Sequence, residues 1–395
     1  MKPTRIVPDV PIASPSGPHP SSPRGSLRWY PRPHFRLPLP GSLPTMPQRS
    51  VDANQVSPGK RKAAPLMATV TTPKVDLEKF NRDGYLIVEG IFDPAEDLDP
   101  VVAEYTDLLE RLTDEFLASG RISRDYRELP FAQRLAGFLQ EAGPTAFQHF
   151  DISLPFNGVT EATPIHTGPQ VFGLLRNRRL LDVIEQFIGG EILSNPIQHV
   201  RIKPPSRLLG KEFRNTLVGQ TDWHQDQGVA LPEMDETDVL TCWMPIFDAT
   251  VENGCLCAVP GSHKQGLATH CPGKSEDRKG LHIPDEIRGD TWVPLPIPRG
   301  GALFLHRRTM HASLDNASDG IRWSYDLRYQ PVGQPTGRPW FPAFVARSRS
   351  APDTELTDWT VWGAKWLEAR TLLAEHTGGK IKTNRWTGEE AVCAA

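Results

Sequence analysis

His224 and Asp226 stand two residues apart in the run Trp223-His224-Gln225-Asp226. On an extended backbone, side chains alternate with a period of two, so an imidazole and a carboxylate at this spacing point the same way. A second histidine from further along the chain would complete a face of two imidazoles and one carboxylate. That donor set holds one side of a non-haem Fe(II) and leaves its remaining positions open. Two histidines, His306 and His311, lie on one downstream stretch that could supply it. His306 fits the strand alternation of Ala302 and Phe304, as a core or surface histidine also would. His311 is followed by Ser313 and then by Arg322, which sits in an alternating strand pattern. An arginine there can run back antiparallel and present its fork to a carboxylate bound beside the metal. His311 is therefore preferred as the third ligand.

Placing these residues falls to a strand-rich middle. Residues 197–203 alternate and are stopped by Pro204-Pro205, and residues 217–228 read as the strand that carries His-x-Asp. Residues 239–247 alternate cleanly, with Val239, Thr241, Trp243 and Phe247 on one side. Shorter strands follow at 255–259, 291–293, 302–306 and 321–329, separated by Gly, Pro and Asn turns. Many strands with few helices between them predict a mainly β fold with flanking helices, an antiparallel double-stranded β-helix of the jelly-roll or cupin type. Ahead of it, 76–81 reads as a short helix and 84–88 as a strand. Pro100 opens a longer helix with Val101, Tyr105, Leu108, Leu109, Leu112 and Phe116 on one face. Residues 179–188 and 357–375 are also helical; the latter spaces Trp359, Trp362 and Trp366 as core packing would.

Composition narrows the function class. The chain has 395 residues and a net charge of -3. Residues 1–72 carry ten Lys/Arg against two Asp/Glu, leaving 73–395 with 34 against 45, a balance of -11. An acidic body offers no basic field for nucleic acid. No apolar run approaches the roughly 18 residues needed to span a bilayer. The five cysteines form no Cys-x-x-Cys pair and no even framework, which predicts unpaired thiols, a reducing compartment and no structural zinc. Residues 1–72 hold fifteen of the 39 prolines and are expected to be a disordered tail, unless translation starts at Met67 and residues 1–66 are not part of the protein. Their Arg-rich, acid-poor character resembles a transit peptide, although the prolines oppose an amphipathic helix. The expected location is intracellular, cytoplasmic unless that tail addresses a mitochondrion or another organelle. The expected organisation is a tail at 1–72, a jelly-roll domain at 73–345 and a helical extension at 346–395.

Taken as an ordered series, the motifs are specific. Phe80-Asn81-Arg82-Asp83-Gly84-Tyr85, then His224-x-Asp226 and Trp243, then Glu252-Asn253-Gly254-Cys255-Leu256 leading to Pro260-Gly261-Ser262-His263, then His311-x-Ser313 and Arg322, resemble the phytanoyl-CoA dioxygenase family of Fe(II)/2-oxoglutarate oxygenases. The likeness covers about 75–345. It implies that His224, Asp226 and His311 hold Fe(II), and that Arg322 grips the distal carboxylate of 2-oxoglutarate, with Ser313 and Trp243 nearby. It also implies a cosubstrate contact at Gln198. The open metal positions would take 2-oxoglutarate and O2, giving succinate, CO2 and an oxidised small-molecule substrate. Asp226 fills the position that a halide would need, which favours hydroxylation over halogenation.

Other residues read more blandly. Gln227 should share the face of Asp226 and reach substrate, whereas Gln225 should point away. Pro260-Gly261-Ser262-His263 is a turn first, Cys255 and Cys257 are small apolar strand residues, and His166 is a surface histidine. Arg207, Lys211 and Arg214 lie in a polar loop before the metal run. Two rival functions use the same residues: a non-catalytic jelly-roll binding protein, and a zinc or cupin-type hydrolase or isomerase. Arg322 argues against both, because neither needs a clamp for a dicarboxylate. Substrate identity and oligomeric state are not legible.

Overall fold

The alternation along residues 321–329 becomes the central strand of the molecule. A computed structural model describes residues 72–395, apart from 211–212, 214–215, 274–279, 377, 379–380, 394–395 and the side chain of 376. The expectations for residues 1–71, Lys211 and Arg214 lie outside the described residues. The elements run α1 (Leu77–Asp83), β1 (Tyr85–Val88), α2 (Asp99–Ala118), α3 (Phe131–Ala142), α4 (Pro169–Leu175) and α5 (Arg178–Ile188). There follow β2 (Glu191–Lys203), β3 (Leu240–Pro245), β4 (Leu256–Ala258), β5 (Cys271–Pro272), β6 (Leu281–His282) and α6 (Asp285–Arg288). The last are β7 (Val293–Leu295), β8 (Ala302–His306), β9 (His311–Ser313), β10 (Arg322–Pro331), β11 (Phe344–Ser348) and α7 (Trp359–His376).

The strands pair antiparallel in a six-stranded sheet, β1-β8-β3-β10-β2-β11, and a three-stranded sheet, β7-β4-β9, with a small β5-β6 hairpin. This is a jelly roll with flanking helices. Alternation gives the large sheet two unlike faces. Val200, Ile202, Trp323 and Tyr325 belong to the core shared with the helices, and Tyr105 of α2 packs 4.8 Å from Trp323, ring to ring. The opposite positions, Lys203 against Arg322, Arg201 against Ser324 and Trp243 against Asp326, point between the sheets. There Trp243, Leu303 and Leu305 meet Leu256, Ala258 and Leu295 of the smaller sheet.

Local signals explain the entry to the fold. Asp76 caps α1 by accepting from the Lys79 amide at 2.9 Å, and Gly84 ends it at φ 82°. A side chain at Gly84 would meet the His263 ring 2.3 Å away, so the turn into β1 demands glycine twice over. The sequence pattern did not announce α3, α4 or β11. In α3 the buried face includes Arg134, which ion-pairs with Glu110 and so breaks the apolar stripe.

Two expectations are corrected. Residues 217–228 do not form a strand. His224 makes a single antiparallel bridge with His311, its amide donating to the His311 carbonyl at 2.9 Å and the reverse at 2.9 Å, and the chain then turns. The next amides are taken elsewhere: Gln225 donates to His270 Nε2 at 2.9 Å, and Gly228 closes back on the Gln225 carbonyl at 2.9 Å. The cysteines are also not all unpaired. Cys271 is bonded to Cys393, 122 positions away, leaving Cys242, Cys255 and Cys257 as buried free thiols. A pair so distant has no spacing signature, and the compartment inferred from unpaired cysteines loses that ground.

The segment after α7 acts as a strap. Arg385 ion-pairs with Asp235 at 2.6 Å, Trp386 stacks on His270 at 5.3 Å and donates to the Gly228 carbonyl at 2.7 Å, and Cys393 closes the disulfide. Among the described residues, no helix is long and apolar enough to cross a membrane.

Candidate active site

The His224–His311 bridge and the turn behind it bring three ligand atoms together. One atom each from His224, Asp226 and His311 lies within 4.8 Å of the others, and all three residues are buried. His224 Nε2 stands 3.8 Å from Asp226 Oδ1, and His311 Nε2 stands 4.0 Å from Oδ2. His224 Nδ1 donates to the Asp222 carbonyl at 2.8 Å, and His311 Nδ1 to the Thr309 carbonyl at 2.9 Å. A carbonyl only accepts, so both Nδ1 atoms carry the hydrogen and both Nε2 lone pairs face the carboxylate. Burial, then the neighbouring His311, pulls the His224 imidazolium down to about 3, so His224 is neutral at pH 7. Burial alone would raise the Asp226 carboxyl, but Arg328 and the two imidazoles hold it below its ordinary range. Two imidazole lone pairs and one ionised carboxylate converge, which fits a divalent cation of the first transition row.

Both Asp226 oxygens are fixed from behind. Arg328 Nη2 donates to Oδ1 and Thr241 Oγ1 donates to Oδ2. Arg328 also donates to the Ile197 carbonyl at 3.0 Å. The carboxylate is thus aimed before any metal arrives.

A small cavity opens beside the cluster, walled by His224, His311, Trp243, Arg322, Arg201 and Asp326 among others. Arg322 is 2% exposed, its guanidinium lies 5.4 Å from the Trp243 ring centroid, and its Nη1 donates to Ser324. Its Nε has no partner, and among the described residues no carboxylate lies within ion-pair distance. Burial, then the nearby Arg201, brings its guanidinium down to about 9. A buried cation without an anion is costly, so the site is built for an anion from outside. Ser313 sits on β9 two residues past His311. Its hydroxyl accepts from Lys203 Nζ at 2.6 Å and from the Thr221 amide at 2.9 Å. Burial, with Arg322 and Arg201 nearby, pulls the Lys203 ammonium well below the usual lysine range.

His224, Asp226 and His311 therefore come together, with Trp243 and Arg322 on the same cavity and Ser313 hydrogen-bonded behind it. Two other candidates are corrected. Gln198 faces away, donating to the Ile152 carbonyl at 3.0 Å, because it alternates with Val200 and Ile202 on the helix-facing side of β2 while Arg201 and Lys203 take the inner face. Gln227 is held at both ends, donating to Asp235 at 2.6 Å and accepting from Arg308 Nε at 2.7 Å, since the turn removes the alternation that would have aimed it inward. Gln225 points away, bonded to the Gly266 and Arg308 carbonyls. His306 packs beside Phe80 and His263, apart from the cluster. His263 reaches the Asn81 carbonyl at 3.1 Å. His166 is buried rather than on the surface, paired with Glu104 at 2.8 Å, and Arg207 pairs with Asp319. Sequence reasoning missed Arg201, Lys203, Thr241, Asp326 and Arg328. The signal was present in β10, where Arg322, Ser324, Asp326 and Arg328 put a polar residue at every second position.

The phytanoyl-CoA dioxygenase (PhyH) family pattern matches residues 80–324. A phytanoyl-CoA dioxygenase domain-containing protein 1 of Danio rerio is 25% identical over 269 residues, covering 63% of this chain and 87% of that protein. An ectoine dioxygenase of Stutzerimonas stutzeri is 25% identical over 291 residues, covering 68% and 82%. Among solved structures, EvdO2 of Micromonospora carbonacea complexed with 2-oxoglutarate is similar at TM-score 0.40 and 23% identity, covering 70% of this chain and 100% of that one. The family match spans well over half of the sequence and contains all three clustered ligands: the chain belongs to the phytanoyl-CoA dioxygenase family and is a 2-oxoglutarate-dependent oxygenase.

Proposed function

We propose that the protein uses Fe(II), 2-oxoglutarate and O2 to hydroxylate an unactivated C–H bond of a small-molecule substrate, releasing succinate and CO2. The observation that carries this reading is the buried, carboxylate-free Arg322 on the cavity that holds the His-Asp-His cluster. His224, Asp226 and His311 would hold the iron. Bound there, Fe(II) supplies the activation of O2, driven by decarboxylation of the keto acid.

The chain's own part is positional. Arg328 and Thr241 keep Asp226 ionised and aimed, and the Asp222 and Thr309 carbonyls fix both imidazole tautomers. Arg322 takes the distal carboxylate of 2-oxoglutarate, with the Trp243 face beneath the guanidinium and Ser313 contributing its hydroxyl. Leu256 and Leu305 on the cavity wall keep water from the reacting centre.

The test is anaerobic. Fe(II) and then 2-oxoglutarate are added to the full chain, and the weak visible metal-to-ligand charge-transfer band is recorded. A band that Asp226→Ala abolishes and Arg322→Ala weakens supports the reading. Well-folded protein that binds zinc tightly and gives no band would sink it in favour of a hydrolase or isomerase.

A further inference from the structure

The cavity carries one more cation than the oxygenase reading uses. Arg201 lies on the inner face of β2 opposite Ser324, one step along from the Lys203–Arg322 pair, and it lines the cavity. The cations around it are accounted for differently. Arg328 is bonded to Asp226 and lies 3.4 Å from Asp326. Lys203 gives its Nζ to the Ser313 hydroxyl and, at 3.3 Å, to the Leu314 carbonyl. Arg322 is the clamp for the cosubstrate. The Arg201 side chain makes no hydrogen bond or ion pair among the described residues; burial works against its charge, and Asp326 and Asp151 favour it without bonding to it.

2-Oxoglutarate has two carboxylates. One belongs at the metal beside the keto group and the other on Arg322, so neither remains for Arg201. A guanidinium that lines the cavity with its fork free can take an oxyanion, ideally through two parallel N–H···O bonds.

We propose that Arg201 binds the substrate itself and selects molecules that carry an oxyanion, a carboxylate or a phosphoryl group, for oxidation in this cavity. The proposal rests on the oxygenase reading.

The experiment uses the charge-transfer band of the anaerobic Fe(II)–2-oxoglutarate protein as a reporter, at saturating 2-oxoglutarate. Hexanoate and hexyl phosphate are titrated beside their neutral counterparts, hexanamide and hexanol, in wild type, Arg201→Gln and Arg201→Lys, each checked for folding by circular dichroism. The expected result is an oxyanion midpoint roughly tenfold or more below the neutral one, the size of a charged hydrogen-bond pair. Arg201→Gln should abolish that preference, and Arg201→Lys should keep part of it. Whichever of hexanoate and hexyl phosphate binds more tightly names the group. The midpoint for 2-oxoglutarate should move by less than about threefold in Arg201→Gln and by more than tenfold in Arg322→Gln. A tenfold loss of 2-oxoglutarate affinity in Arg201→Gln would make Arg201 a cosubstrate residue and overturn the proposal. So would equal midpoints for the acids and the neutral probes, or a preference that survives Arg201→Gln. A wild-type protein that forms no band overturns the oxygenase reading as well, so the two failures are told apart.

Discussion

Arg328 Nη2 donates to Asp226 Oδ1, the same oxygen that stands 3.8 Å from His224 Nε2. The Asp226 carboxylate is therefore ion-paired from behind while its front faces the imidazoles. Removing Arg328 leaves a buried carboxylate unpaired, which costs about 3–5 kcal/mol. Arg328→Met should lower stability by that order in urea unfolding. The double variant with Asp226→Ala should regain a good part of the loss. If the single and double variants prove equally unstable, the pair is not what the arginine serves.

Thr241 is the other support of Asp226. Thr241→Val keeps the shape and removes the hydroxyl, so the fold should survive with a loss of about 1 kcal/mol. Metal affinity should fall by roughly 10- to 100-fold, as for other residues that orient a ligand. Titration with Co(II), followed through its visible bands, reads this directly. Unchanged affinity would mean that Arg328 alone aims the carboxylate.

Glu110 offers a pH test remote from the site. Bonds from Arg134 and Arg127 pull its carboxyl from the ordinary 4.5 down to about 2. A depressed folded value means that the stabilisation is complete above the unfolded value and disappears as pH falls through the folded one. The melting temperature of Glu110→Gln should thus lie below wild type at pH 6, and the gap should close between pH 4.5 and 2. Glu110 is 40% exposed, so salt should shrink the gap. A gap that is independent of pH would point to packing instead.

The free thiols should be silent in the native protein. Cys242, Cys255 and Cys257 are buried, and burial raises all three, Cys257 to about 12. At pH 8 they remain protonated and shielded. A thiol reagent should count none in native protein, three after denaturation and five after denaturation with reduction. Rapid native labelling would contradict the burial of these strands.

Much of the site was legible because β-strand alternation is a strong rule. Arg322 could be placed on an alternating strand, and Trp243 on one face of residues 239–247, before any coordinates. The same rule failed at Gln227 for a physical reason, whereas Gln198, suggested by resemblance alone, obeys the alternation and so faces the helices. A turn after Asp226 changes the phase of the alternation and leaves no mark in composition. Arg328 and Thr241 were missed because the pairing that brings them to Asp226 spans 102 and 15 positions. The strap was invisible for the same reason: Arg385 and Trp386 act on residues about 150 positions earlier.

The bond between Cys271 and Cys393 turns the C-terminal third of the molecule into a closed ring. His311, Arg322 and Arg328 belong to that ring, while His224, Asp226 and Arg201 belong to the open arm that precedes it. The site is thus the clasp between a loop and a line. A protease cut inside the ring leaves both pieces covalently attached, whereas a cut between 228 and 271 leaves the arm held to the ring only by strand pairing and packing, with no covalent link.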